Sequence, residues 1–301
     1  QSARRKASDR LDNAKDDGDL SAVINSTIQK TVLNVVIKAM SSAAVNPLSK
    51  SNLIQLEKVE KQITMYAQSA IISYDSLSKQ RTVLVHMKEL YDRQYALTLK
   101  QQELGMATVT DVLTAQKNQL TAQSNIETID SALTQILPKI CTMTGWPADA
   151  TPQIASIPSV DTSKITQMNL EEDTKKAIGN NTQLQQLRRS ASANTYAGDT
   201  ARLNAINESD EKMTIKMQEL YNDVQAKLVA YESAKDGFES AKKSADSYAK
   251  MKELGMMSET QYLGGMLSYY SKEASYENAD TALRQAIETY QWAVTGLVNP
   301  D

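Results

Sequence analysis

Glu103-Leu104-Gly105-Met106 recurs in the chain as Glu253-Leu254-Gly255-Met256, an offset of 150 residues. A long helical pattern precedes each copy and another follows it. Glycine is the residue that ends a helix in the left-handed conformation, so each copy reads as the tip of a helical hairpin. Thr108 with Asp111, and Ser258 with Gln261, follow at the same offset. A hydroxyl residue followed three positions later by an acid or amide is the pattern of a capping box, so these four residues read as helix caps.

Upstream of the first tip, residues 51–104 contain no Gly and no Pro. Leu56, Ile63, Ala70, Leu77, Leu84 and Tyr91 are seven apart, a heptad seam over a helix of about 80 Å. Such a helix needs a partner of similar length. The return helix over 108–144 carries Val112, Leu113, Leu120, Ile126, Ile129, Leu133, Ile136 and Ile140. Pro138 lies inside it and predicts a bend. Gly145-Trp146-Pro147 stops it.

The second tip repeats this order. Met217, Val224, Tyr231, Phe238 and Ala245 are seven apart in a helix over 211–254, and the return helix runs to about 295, where Gly296 closes it. Before these, Asn180-Asn181 break a helix that opens at Leu170, another helix is expected over 182–205, and residues 207–210 read as a polar bend or a continuation. In the first repeat, apolar residues from Leu20 to Val36 have helical spacing, interrupted at Asn46-Pro47. The expected organisation is a first hairpin repeat over 1–150, a Pro-containing linker over 151–165 with a possible short edge strand at 154–160, and a second repeat over 166–301. The fold class is all-α: an elongated antiparallel coiled-coil bundle of two long helical hairpins, together one domain.

Composition agrees. Ten Gly, six Pro and one Phe among 301 residues leave few turns, and 41% apolar residues sit below the usual ~45–50% of globular chains. The net charge is -3, with 33 basic and 36 acidic residues interspersed, so there is no basic footprint for nucleic acid. Arg4, Arg5 and Lys6 are a small cluster on a solvated terminus. One Cys (Cys141) and one His (His86) exclude an intrachain disulfide and multi-Cys or multi-His metal sites. No phosphate loop, nucleophile–base pair or cofactor fingerprint is present, so catalytic, cofactor and metal sites are all read as none. No apolar run approaches the ~18 residues of a membrane helix; the best, Val32 to Met40, is broken by Asn34 and Lys38. No signal peptide or lipobox is visible at Gln1, which reads as a trimmed mature chain from the cell envelope or an extracytoplasmic space.

The stretch Leu104-Gly105-Met106-Ala107-Thr108-Val109-Thr110-Asp111-Val112-Leu113-Thr114-Ala115-Gln116 resembles the hairpin tip of the TolC-like outer-membrane efflux proteins. The segments 137–145 and 170–187 resemble that family's repeat end and lead-in helix. The resemblance implies a trimer whose helices form a tunnel, and tips that dock a membrane-fusion (adaptor) protein of the periplasm. The contacts implied are Leu104, Gly105, Met106, Leu254, Gly255, Met256 and Met257, whose methionines suit adaptable helix docking. Two departures stand out. Residues 40–52 and 196–216, where the family inserts barrel strands, have no room for two strands of about ten residues. The acidic gate positions near the second tip are matched by Gln261 and Gly264, leaving Asp111 alone. A coiled-coil spacer with no transport role explains the heptads equally well. Tyr262, Tyr269, Tyr270 and Tyr276 read as a packing stripe, and the cost of Gly264-Gly265 inside a helix is consistent with either close helix approach or a hinge.

Overall fold

The computed structural model describes the backbone of residues 50–189 and 196–299, and the side chains of 56–189 and 198–299. The expected helix from Leu20, its Asn46-Pro47 break and the basic cluster at 4–6 lie outside the described residues. So does the gap at 190–195 in the helix expected over 182–205.

Seven helices follow in chain order among the described residues: α1 Lys50–Glu103, α2 Val109–Met143, α3 Ser163–Thr166, α4 Leu170–Asn180, α5 Thr182–Arg189, α6 Tyr196–Glu253 and α7 Glu259–Val294. None of the described residues forms a strand, so 154–160 is not the edge strand expected there. It lacks a neighbouring strand to pair with, and its backbone groups are taken by side chains instead. At 207–210, read as a polar bend or a continuation, the structure has the continuation: α6 is continuous for 58 residues, about 87 Å. Asn207 to Asp210 are polar but contain no Pro or Gly, so nothing in them breaks a helix. α2 likewise continues through Pro138.

α1 pairs with α2 and α6 pairs with α7, while α1 and α7 join the two hairpins. The long helices therefore stand in the order α2–α1–α7–α6, with α2 and α6 at the edges. Arg81 meets Asp130 at 2.5 Å and Gln119 donates to Asp92 at 2.9 Å, which fixes α1 and α2 antiparallel. Stacked or tilted rings at Tyr231–Tyr276 and Phe238–Tyr269, both 5.7 Å, do the same for α6 and α7. Across the central seam, Lys79 faces Glu277, Gln80 faces Asn278 and His86 stacks on Tyr270. This register is also antiparallel, so both hairpin tips point the same way.

Each repeat carries its own buried cluster. The larger one is built from Ile165 at the end of the linker and, in the second repeat, Ala177, Leu184, Met213, Met217, Val224, Tyr231, Leu283, Ala286, Ile287, Tyr290 and Ala293. The other is Ala70, Ile136 and Ile140, flanked by Ile71, Tyr74, Leu77, Met143 and Ile154 of the first. Burying each large apolar side chain contributes about 1.5–3 kcal/mol, so most of the hydrophobic stabilisation acts within a repeat. The seam residues of α6 are core-facing, Met217 and Val224 fully buried. In α1 only Ala70 of the expected heptad residues is fully buried, because α1 lies between two neighbours and divides its apolar residues between them.

Candidate partner-docking tips

The two tips share one backbone solution. Gly105 has φ 71° and Gly255 φ 69°. At the first tip Gly105 N–H donates to Gln102 O (2.9 Å) and Met106 N–H to Gln101 O (2.7 Å). At the second, Gly255 N–H donates to Lys252 O (3.1 Å) and Met256 N–H to Met251 O (2.8 Å). Both are Schellman closures, which satisfy carbonyls at the helix end and need a left-handed residue at the glycine position. Gly145 and Gly296 close α2 and α7 in the same way.

The chain then re-enters a helix through a capping box. Thr108 Oγ1 accepts from Asp111 N–H, while Asp111 Oδ2 accepts from Thr108 N–H at 2.8 Å and Thr108 Oγ1 at 2.7 Å. Ser258 and Gln261 repeat it, Ser258 N–H donating to Gln261 Oε1 at 3.1 Å. The hydrogen bonds from Thr108 hold the Asp111 carboxyl below the usual carboxylate range. The Asp111 carboxylate is thus engaged in holding its own helix start.

What the tips present outward is apolar. Leu104 and Met106 are each 74% exposed, Leu254 73% and Met256 69%, whereas Met257 is half-buried. The tips also differ. At the second, Lys252 pairs with Glu259 at 2.5 Å, and Leu263 is buried. The matching residues of the first are Gln102, Val109 and Leu113, of which Val109 and Leu113 are exposed. The first tip therefore offers the larger apolar face and lacks the Lys252–Glu259 pair of the second.

One feature was left open between two readings by the sequence, and another escaped it. Gly265 lies against the Tyr248 ring: a Cβ there would sit 2.5 Å from Cδ2, while Gly264 faces open space. Close approach therefore accounts for the second glycine of the pair, and nothing in the structure explains the first. The tyrosine stripe packs: Tyr269 and Tyr276 flank Phe238, and Tyr270 stacks on His86 at 5.2 Å. The other feature is a strap. Asp75 accepts from Ile157 N–H and Asp280 from Val160 N–H, at 3.0 and 2.8 Å. The signal was present as Asp-x-x-x-Lys in α1 (Asp75, Lys79) and Asp-x-x-x-Arg in α7 (Asp280, Arg284).

Among the described residues, no group of three His, Cys, Asp or Glu could hold a metal ion, and no helix is long and apolar enough to cross a membrane. A groove of about 600 Å³ lies along α1 and α7, its mostly apolar lining interspersed with Ser73, Gln80, Asn278, Thr281, Asp223 and Lys227. Nothing in it pairs a nucleophile with a base.

No family profile and no curated protein sequence matches the chain. Solved structures do. The outer-membrane channel OprN superposes with a TM-score of 0.51 at 13% identity, over 81% of this chain and 69% of that one. The outer membrane protein VceC of Vibrio cholerae gives 0.47 at 10% identity over 92% and 75% of the two chains. The CmeC outer membrane channel of Campylobacter jejuni gives 0.47 at 9% over 92% and 69%. At these identities the OprN likeness speaks for the fold. The chain has the all-α, twin-hairpin fold of the helical part of a TolC-like outer-membrane channel.

Proposed function

We propose that this chain is a non-enzymatic component of a TolC-like efflux or export assembly in the cell envelope. Its repeats, 1–150 and 166–301 joined by 151–165, act as one elongated unit. The tips dock the helical hairpin of a periplasmic adaptor protein through Leu104, Gly105, Met106, Leu254, Gly255, Met256 and Met257. The edge helices associate with further copies of the chain, as a trimer by resemblance.

The observation that carries this reading is where large apolar side chains stay exposed. They lie mostly on the tips, on α2 (Val109, Leu113, Leu120) and on α6 (Leu203, Ile215, Val229, Met251), with Leu56 near the start of α1 and Trp146 beyond the end of α2, and α7 contributes none. Exposed apolar residues concentrated on the two edge helices and the tips are what a side-by-side assembly with an end-on partner requires.

The test is a Met106→Glu/Met256→Glu double variant, compared with the unaltered chain for binding to an adaptor hairpin and for mass in sedimentation. Adaptor binding lost with assembly retained is the expected result. A strict monomer at high concentration that also binds no adaptor leaves the spacer role instead.

A further inference from the structure

The segment between the repeats is anchored at both ends and gripped in the middle. Ile154 packs on the core of the first repeat and Val160 on that of the second. Between them, Ile157 N–H donates to the α1 carboxylate of Asp75, and Lys79 Nζ donates to Ile157 O at 3.3 Å. On α7, Val160 N–H donates to Asp280, and Arg284 donates to Pro158 O. Ser159 and the Tyr276 hydroxyl lie 3.3 Å apart. Each central helix thus supplies a carboxylate for a strap N–H and, one turn on, a cation for a strap carbonyl. Asp280 is 2% exposed and Asp75 8%, so these are sheltered bonds rather than surface ion pairs.

Beneath the strap, α1 and α7 pack along the seam, where the polar and ring contacts include Lys79–Glu277 at 3.3 Å, Gln80–Asn278 at 2.7 Å and the His86–Tyr270 stack. Two open grooves run along it, the one described above and another of about 440 Å³ lined by Met65, Ile72, Trp292 and Val298. Two separate cores meeting at a loosely filled boundary are free to move as bodies unless something ties them.

We propose that residues 154–160 are a latch that fixes the two hairpin repeats against each other, and that its release lets them pivot at the α1–α7 seam without unfolding either one. From Asp75 to Glu103 the helix runs about 42 Å, so a pivot of ~10° at the strap displaces a tip by about 7 Å. The latch is independent of what the tips bind.

The experiment places spin labels at Thr110→Cys and Thr260→Cys, exposed and equivalent on the two tips, in a full chain carrying Cys141→Ser. A control pair, Lys100→Cys with Lys117→Cys, spans α1 and α2 within one hairpin. Asp75→Ala with Asp280→Ala removes both strap acceptors. Ile157→Pro removes one strap donor while leaving every helix residue in place, and carries the test if the aspartate variant does not fold. The expected result is a tip-to-tip distribution that broadens or lengthens by several ångströms, about the lever-arm displacement above, with helicity and the control pair unchanged. An unchanged tip distribution, or a control pair that loosens to the same degree, overturns the latch.

Discussion

Gly264 and Gly265 are adjacent in one helix, yet a methyl group added to each is expected to act with opposite sign. At Gly264 the added Cβ meets nothing within 4 Å, so Gly264→Ala gains helix propensity alone, about 0.8–1 kcal/mol. At Gly265 the same gain is opposed by Tyr248, whose ring carbons Cδ2 and Cε2 lie 2.5 and 2.6 Å from the new Cβ. Carbon atoms settle at about 3.5–4.0 Å, so the ring or the backbone must shift by about 1 Å. Overpacking of that kind costs about 1–3 kcal/mol, which makes Gly265→Ala neutral to destabilising by about 2 kcal/mol. The propensity term cancels between the two variants, and the gap between them, about 1–3 kcal/mol, measures the Tyr248 contact. Urea unfolding followed by circular dichroism reads it directly, first in the natural background and then with Tyr248→Ala. The gap should close when the ring is removed. Equal stabilisation by both alanines, or a gap that persists without Tyr248, refutes the close-approach reading of Gly265.

Two further outcomes follow from the tips and the seam. Gly105→Ala and Gly255→Ala place a Cβ at φ near 70°, which costs roughly 1–2 kcal/mol each, whereas Asn, which tolerates this region, costs less; thermal melts of the four variants should rank that way. Glu273 is half-buried on α7, and desolvation first, then the charge of Glu277, hold its pKa above 4.5, with His86 opposing them. The folded state therefore binds more protons than the unfolded one above pH 4.5, so stability falls as pH rises from there through the raised value. Glu273→Gln should remove that decline, and parallel curves of unfolding free energy against pH for the two proteins would contradict the assignment.

The twin-hairpin plan was legible because a helix end carries local information. Gly105, with Thr108 and Asp111 behind it, specifies a closure and a new start within seven residues, and long runs without Gly or Pro do the rest. The heptad of α6 was legible for a related reason: Met217, Val224 and Tyr231 face one core, so burial follows sequence spacing. α1 was less so. It contacts α2 on one side and α7 on the other, and its seam residues are mostly half-buried. Leu113 and Leu120 were grouped with the apolar residues of the return helix, yet they lie off the face that carries Ile126 and Ile129 and are exposed on the edge helix. The strap was not legible as such, because two Asp-x-x-x-cation spacings do not say what they bind. Its bonds join residues 82 and 120 positions apart, and no periodicity records which carboxylate meets which backbone N–H.

The arrangement of polar and apolar contacts assigns different tasks to different boundaries. Within each hairpin the helices share buried aliphatic and aromatic side chains, the contacts that resist separation most strongly. Between hairpins the polar and ring contacts include an ion pair, an amide pair and one ring stack, with grooves alongside. The ion pair, Lys79–Glu277, is half-buried, and one such pair is a small tie for two rods more than 50 Å long. The sheltered carboxylate–amide bonds of the strap are the stronger tie, since hydrogen bonds to charged groups contribute about 1.5–3 kcal/mol each. The repeated Glu-Leu-Gly-Met therefore sits at the far end of a lever whose fulcrum is the strap. Small changes at residues 157–160 are magnified where Met106 and Met256 stand exposed.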